Sequence, residues 1–259
     1  MRPAMSFPAF GCPAGPRRAC GICRSLSAAD RLSLRVAGRS LAAGQDVFSQ
    51  GEECGEVFTI VEGWVFLYEL LEDGRRQILQ FGLPGDFIGL RPGGRPSGFG
   101  AQAIGPVRLC VMPRHQLLEL ARRRPQLACD LLGIFARGEA QTYERLTALG
   151  RKTALERVAT LLLELFCRIR RRAPDMAGEI LRLPLTQIHI ADALGLTPVH
   201  VSRTLGVLRQ AGILAFGGGT FRILAPDRLV AIAGIDADTC PWPGTVEDGR
   251  GTIAVPDRP

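Results

Sequence analysis

The stretch LPLTQIHIADALGLTPVHVSRTLGVLRQAGIL, residues 183–214, decides how this chain is read. Thr186 is placed to cap a first short helix, with Ile188, Ile190, Ala191 and Leu194 as its apolar positions. Gly195 ends that helix and supplies a left-handed turn, which a residue without Cβ adopts at little cost. Thr197 caps a second helix, and Pro198 stands at its first position, where a missing N–H costs nothing. Val201, Leu205 and Leu208 repeat at steps of four and three and face a core. Two short helices joined through a glycine turn form a helix-turn-helix. An ordinary helical hairpin is the plainer alternative. The agreement of caps, turn and proline with a following Gly-turn hairpin, AFGGGTFRIL at 215–224, favours the winged motif.

The second helix presents Val199, His200, Ser202 and Arg203 outward. A hydroxyl and a guanidinium suit phosphate or guanine contacts. With Thr186, Gln187, Thr197 and Pro198 at the helix starts, these form the candidate DNA-contacting set. His200 is either a groove contact or a solvated residue. The charge balance agrees with a polyanionic partner: the net charge is +7. The surplus is almost wholly arginine, Lys152 being the single lysine, which a GC-rich genome would also produce.

Upstream, Pro125 opens a long helical pattern. Ala128, Leu132, Phe135, Glu139, Thr142, Leu146 and Leu149 alternate steps of three and four, a heptad seam with a polar middle. A helix of about 25 residues spans roughly 38 Å and needs a partner, and a second copy of itself is the economical one. The predicted dimer interface is Leu132, Phe135, Glu139, Thr142, Leu146 and Leu149. ALERVATLLLELFCRIRRR then reads as another amphipathic helix starting near Thr153. Its basic end suits the helix dipole.

From about 35 to 113, short apolar runs alternate with turns at Gly51, Gly63, Gly74 and Gly85. Val57, Thr59 and Val61 show period two. This spacing predicts an all-β barrel or jelly roll. Before it, SLSAADRLSL at 25–34 reads as a short helix with Ser27 as cap and Asp30 three residues on. The fold expected is α+β: an irregular head (1–24), a β-roll (25–123), a dimerisation helix (124–150), a winged helix-turn-helix (151–233) and a disordered tail (234–259). No apolar run reaches the length of a membrane span, and the start lacks the apolar region of a secretion signal, so a cytoplasmic protein is expected.

Eight cysteines are present. In a cytoplasm they are expected reduced, with Cys129 and Cys167 as small core residues. CPAGPRRACGIC at 12–23 carries three cysteines in a loop without apolar period. Clustered cysteines in a reducing cell point to metal or redox chemistry.

A β-roll, a long helix and a C-terminal winged helix-turn-helix, in that order, resemble the CRP/FNR family of bacterial transcription regulators. The resemblance covers roughly residues 20–233 and is most specific in GDFIGL (85–90) and ADALGLTPVHVSRTLGVLRQAGIL (191–214). It implies a homodimer that binds a palindromic site on double-stranded DNA and contacts RNA polymerase. The cyclic-nucleotide members carry an acidic residue after the GDFIG turn and an Arg-Ser or Arg-Thr pair soon after. Here Leu90, Arg91 and Pro92 follow, and no Arg-Ser pair comes later, so cyclic AMP is not expected as a ligand. The FNR-like members hold a [4Fe–4S] cluster with head cysteines and one on a late strand. By that resemblance Cys12, Cys20, Cys23 and Cys110 supply the four thiolates. The head spacing C-x7-C-x2-C departs from the usual early C-x2-C pair, with Gly15 where a second early cysteine would stand. A thiol switch, a zinc site or an unidentified small effector remain open as alternatives. Val199 stands where the family commonly has a glutamate that accepts from cytosine, so the target site should differ at that base pair.

No enzyme is expected. The chain has no Gly-rich phosphate loop, no HExxH and no GxSxG, and its histidines are His115, His189 and His200. CGIC could imitate a dithiol oxidoreductase pair, but no strand precedes it.

Overall fold

The computed structural model of the chain describes residues 36–91, 96–172, 180–217 and 220–235, together with Ile22, Leu26, Asp30 and Leu34. The head cysteines Cys12, Cys20 and Cys23, the predicted cap Ser27 and the tail from 236 lie outside the described residues. In chain order the strands of the roll are β1 (Ala37–Leu41), β2 (Asp46–Phe48), β3 (Glu56–Glu62), β4 (Val65–Leu70), β5 (Arg76–Gly82), β6 (Phe87–Ile88), β7 (Gly100–Ala103) and β8 (Val107–Pro113). Helices α1 (Arg114–Arg123), α2 (Pro125–Arg151) and α3 (Ala154–Arg172) follow. Then come β9 (Ile180–Arg182), α4 (Gln187–Leu194), α5 (Pro198–Gln210), β10 (Leu214–Gly217), β11 (Thr220–Ile223) and α6 (Pro226–Ala233). The chain divides into two compact units, Met1–Leu149 with Pro184–Pro198, and Gly150–Leu183 with Val199–Pro259.

In the first unit two antiparallel four-stranded sheets, β1-β8-β3-β6 and β2-β7-β4-β5, form the jelly roll that the turn spacing predicts. Phe48, Phe58, Ile60, Val65, Ala101, Leu109 and Val111 from both sheets fill the space between them. The four predicted turn glycines all adopt positive φ. Gly89, in the GDFIGL motif, has φ +90°, and a Cβ there would lie 2.9 Å from the Phe58 ring. Only glycine meets both conditions.

β3 does not alternate buried and exposed positions; Val57 to Val61 are all buried. The reason is a second apolar layer outside the sheet. Val57, Val61, Cys110 and Met112 point away from the roll interior and meet Leu117 of α1, Leu127 and Leu131 of α2, and Ile22, Leu26 and Leu34. Asp30 is buried beside this layer, and its carboxylate takes a hydrogen bond from Arg124 at 2.9 Å.

The long helix begins at Pro125, as the proline predicts. Cys129, expected in the core, is exposed. It lies two residues, or about 200°, from the buried Leu127 and Leu131. In the second unit α3 opens with a capping box: the Thr153 amide donates to Glu156 Oε2 at 2.6 Å and the Glu156 amide to Thr153 Oγ1 at 3.4 Å. Cys167 is buried, as expected of a small core residue. Strands β10 and β11 form the expected hairpin, with Phe216 facing Phe221 at 4.5 Å between ring centroids. β9, which the sequence reading did not place, adds a third strand beside β11.

Candidate nucleic-acid interface and sensor site

Helix α4 is built by its caps. Thr186 Oγ1 accepts the His189 amide and His189 Nδ1 accepts the Thr186 amide, both at 3.2 Å. This is a capping box in which imidazole replaces the usual glutamate or glutamine. Gly195 closes the helix at φ +62°. Ile190, Ala191 and Leu194 are buried, but Ile188 is 54% exposed, correcting its expected core position. It sits about 200° around the helix from Ile190.

Within the first unit α4 rests on β4 and β5. Asp192 pairs with Arg76 at 2.8 Å, Gln77 donates to the Ala193 carbonyl at 3.2 Å, and His189 packs against Phe66 with centroids 5.5 Å apart. Arg76 also lies over the Phe66 ring at 4.7 Å. Burial pushes the His189 imidazole below its ordinary value. The Arg76 charge adds to that shift, and Asp192 opposes it.

Helix α5, in the second unit from Val199 onward, divides as its spacing predicts. Val201, Leu205 and Leu208 are buried; Val199, His200, Ser202 and Arg203 are exposed, Val199 to 61%. Thr197 and Pro198 at its start are exposed as well. Thr186 is exposed but its hydroxyl serves the cap of α4, and Gln187 is half-buried. Sequence reasoning missed Thr204, a buried position whose hydroxyl donates to the His200 carbonyl at 2.9 Å. An exposed row of hydroxyl, guanidinium and small apolar groups on one helix face can read a DNA major groove.

The seam of α2 is open to solvent. Leu132 (67% exposed), Phe135, Glu139, Thr142 and Leu146 are exposed, and Leu149 is half-buried. Leu127, Leu131 and Ala148 bury the other side. Glu139, the polar interruption, accepts a hydrogen bond from Tyr143 at 2.8 Å. Tyr143 is an exposed aromatic that the sequence reading passed over, although it stands one turn after Glu139.

Cys110 lies on β8, 1% exposed, in the apolar layer that also holds Ile22, the residue before Cys23. Among the described residues no three metal-ligating side chains converge. Cys54 is half-buried, its thiol directed to the Glu56 carbonyl at 3.7 Å. Near the GDFIGL turn the Arg91 guanidinium stacks over Phe48 at 4.5 Å and Phe99 at 5.7 Å. Its Nη1 and Nη2 are buried without a hydrogen-bond partner among the described residues.

Comparison with known proteins agrees with this architecture. Residues 156–232 match the Crp-like helix-turn-helix domain and residues 38–124 the cyclic nucleotide-binding domain. The chain is 37% identical over 218 residues to the nitrogen fixation regulation protein FixK of Bradyrhizobium diazoefficiens, covering 83% of this chain and 91% of that protein. It is 33% identical over 233 residues to the transcriptional activator protein FnrL of Cereibacter sphaeroides, covering 88% and 92%. The structure of FixK2 from Bradyrhizobium japonicum superposes with a TM-score of 0.71 at 34% identity, over 78% of this chain and 99% of that one. With its jelly roll, long helix and outward-facing recognition helix in family order, this chain belongs to the CRP/FNR family of DNA-binding transcription regulators.

Proposed function

We propose that the chain is a cytoplasmic, non-enzymatic regulator that binds a palindromic operator as a homodimer and contacts RNA polymerase. In this reading it answers to oxygen through a [4Fe–4S] cluster held by Cys12, Cys20, Cys23 and Cys110. The supporting observation is the burial of Ile22, which lies between Cys20 and Cys23, in the same apolar layer as Cys110. That layer also contains Leu127 and Leu131 of α2, so head and dimer helix share one packing surface. The donor set fits the group: Cys110 on β8 together with three head cysteines would make the four thiolates of a compact iron–sulfur cluster. The Thr59 hydroxyl, buried beside Cys110 without a partner among the described residues, fits a sulfur acceptor. When bound, the cluster supplies iron–sulfur redox chemistry.

The chain's own residues do the rest. Ile22 of the head and Leu26 after it pack against β8, and the Asp30–Arg124 pair ties the segment that follows the head to the start of α2. A clamped head fixes the inner face of α2, and the outer face offers Leu132, Phe135 and Leu146 to a second copy. Pairing sets two recognition helices about 34 Å apart, one turn of DNA. Arg203 and Ser202 contact guanine or phosphate, and Val199 packs on a thymine methyl. Related proteins described as transcriptional activators favour activation. Replacing Cys110 with alanine tests the scheme. It should abolish absorbance near about 400 nm and the anaerobic gain in DNA affinity; a variant that keeps both contradicts it.

A second reading, an anionic small effector in the roll, is favoured by Arg91 alone. It predicts that cyclic AMP or another small phosphate raises the melting temperature of the wild type and not of Arg91→Gln. Equal shifts, or none, count against it.

A further inference from the structure

Strands β3 and β8 run antiparallel with Thr59 directly opposite Cys110. Residues facing each other across such a ladder share one face, with Cβ atoms about 4.5–5.5 Å apart. That face is the outer one, shared with Val57, Val61 and Met112 and covered by Ile22, Leu26, Leu117, Leu127 and Leu131. Thr59 is 1% exposed, and its Oγ1 is sealed from solvent without a hydrogen-bond partner among the described residues. For the metal-free fold this is the wrong residue. Valine fills the same space and leaves no hydroxyl stripped of water. All the other side chains named on this face of β3 and β8 are apolar, Cys110 apart.

We infer that the Thr59 hydroxyl donates a hydrogen bond to a sulfur of the group that Cys110 holds, the thiolate itself or a sulfide beside it. Thr59 is thus a positioning residue that tunes how firmly the group is kept and the potential at which it takes an electron. The inference rests on the cluster reading above. Sulfur in such a group carries negative charge that grows on reduction, so a donor aimed at it favours the reduced form and raises the potential. Outer partners of metal ligands typically alter metal affinity by about 10–100-fold. The hydroxyl therefore acts with opposite sign in the two states: a liability in the metal-free protein, an anchor in the loaded one.

The test compares full-length wild type, Thr59→Val and Thr59→Ser, each loaded anaerobically with ferrous iron and sulfide. Iron content, midpoint potential, iron loss to a chelator and the melting temperature of the metal-free form are measured. Thr59→Val should lose iron at least about tenfold faster than wild type, with a lower midpoint potential. Thr59→Ser, which keeps the hydroxyl, should stay near wild type. Metal-free Thr59→Val should melt at or above wild type. Loaded Thr59→Val that matches wild type in both potential and iron loss overturns the inference and leaves the cluster standing. Metal-free Thr59→Val that melts well below wild type also overturns it, because the hydroxyl would then serve the fold. A wild type that takes up no iron with sulfide removes the cluster reading, and this inference with it.

Discussion

His189 shows how a single side chain can carry both structure and a pH response. Its Nδ1 completes the cap of α4 only while unprotonated. Burial, reinforced by Arg76, lowers its affinity for a proton relative to the unfolded chain. Below the unfolded value of about 6.5 the unfolded state therefore binds more protons, and stability rises with pH there. The melting temperature should fall as pH drops through and below that value. His189→Gln, which keeps a capping-box side chain, should flatten the slope, and an unchanged slope would show that the imidazole is not its source. Arg203 carries a prediction of a different kind. Arg203→Ala should cost about 1–3 kcal/mol of operator binding in a fluorescence titration, with relaxed preference at one base pair. Equal affinity for wild type and variant would remove Arg203 from the interface. At this scale the sequence was legible where periodicity speaks. The stripe Val201, Leu205, Leu208 and the outward set on α5 follow from a 3.6-residue period. Ile188 and Cys129 misled because apolar character alone does not fix which side of a helix is covered. The burial of Thr59 Oγ1 and of the Arg91 guanidinium without partners among the described residues could not be read, since it is a property of packing.

Among the elements, α2 carries two faces with separable consequences. Its inner face belongs to the core of its own unit, and its outer face exposes Leu132, Phe135 and Leu146. Leu127→Ala should destabilise the fold by about 2–5 kcal/mol, the usual cost of emptying a core leucine site. Leu132→Glu should leave the melting temperature of the isolated chain nearly unchanged yet shift sedimentation toward the monomer. If both variants act on stability alone, the outer face is not an association surface. The heptad was visible in sequence, but its polar middle could not be judged from spacing. Tyr143 satisfies Glu139 within the helix, so the interruption does not leave a bare carboxylate on the seam. β3 gave the reverse lesson. Alternation at Val57, Thr59 and Val61 suggested a sheet with one covered face, and the layer of helices and head covers the other. A fully covered strand and a half-covered one differ only in what packs on them from distant sequence.

For the molecule as a whole, the order of roll, long helix and winged motif was readable end to end because each part announces itself by its own period. The family assignment follows from that order and from relatives that cover most of the chain. What packs the segment before the roll against the long helix was not readable. The shared layer of Ile22, Cys110, Leu127 and Leu131 brings together residues more than a hundred positions apart. In the proposed scheme this layer converts a change at the thiolates into a change at the dimer helix. No helix among the described residues is long and apolar enough to cross a membrane. The most direct test is a DNA-binding titration of one anaerobic preparation before and after exposure to air, with iron counted in each sample. The account predicts about four irons per chain before air, with tight operator binding that falls together with the iron on exposure. Operator affinity that is the same in both samples, or an iron-free protein that binds fully, would contradict it.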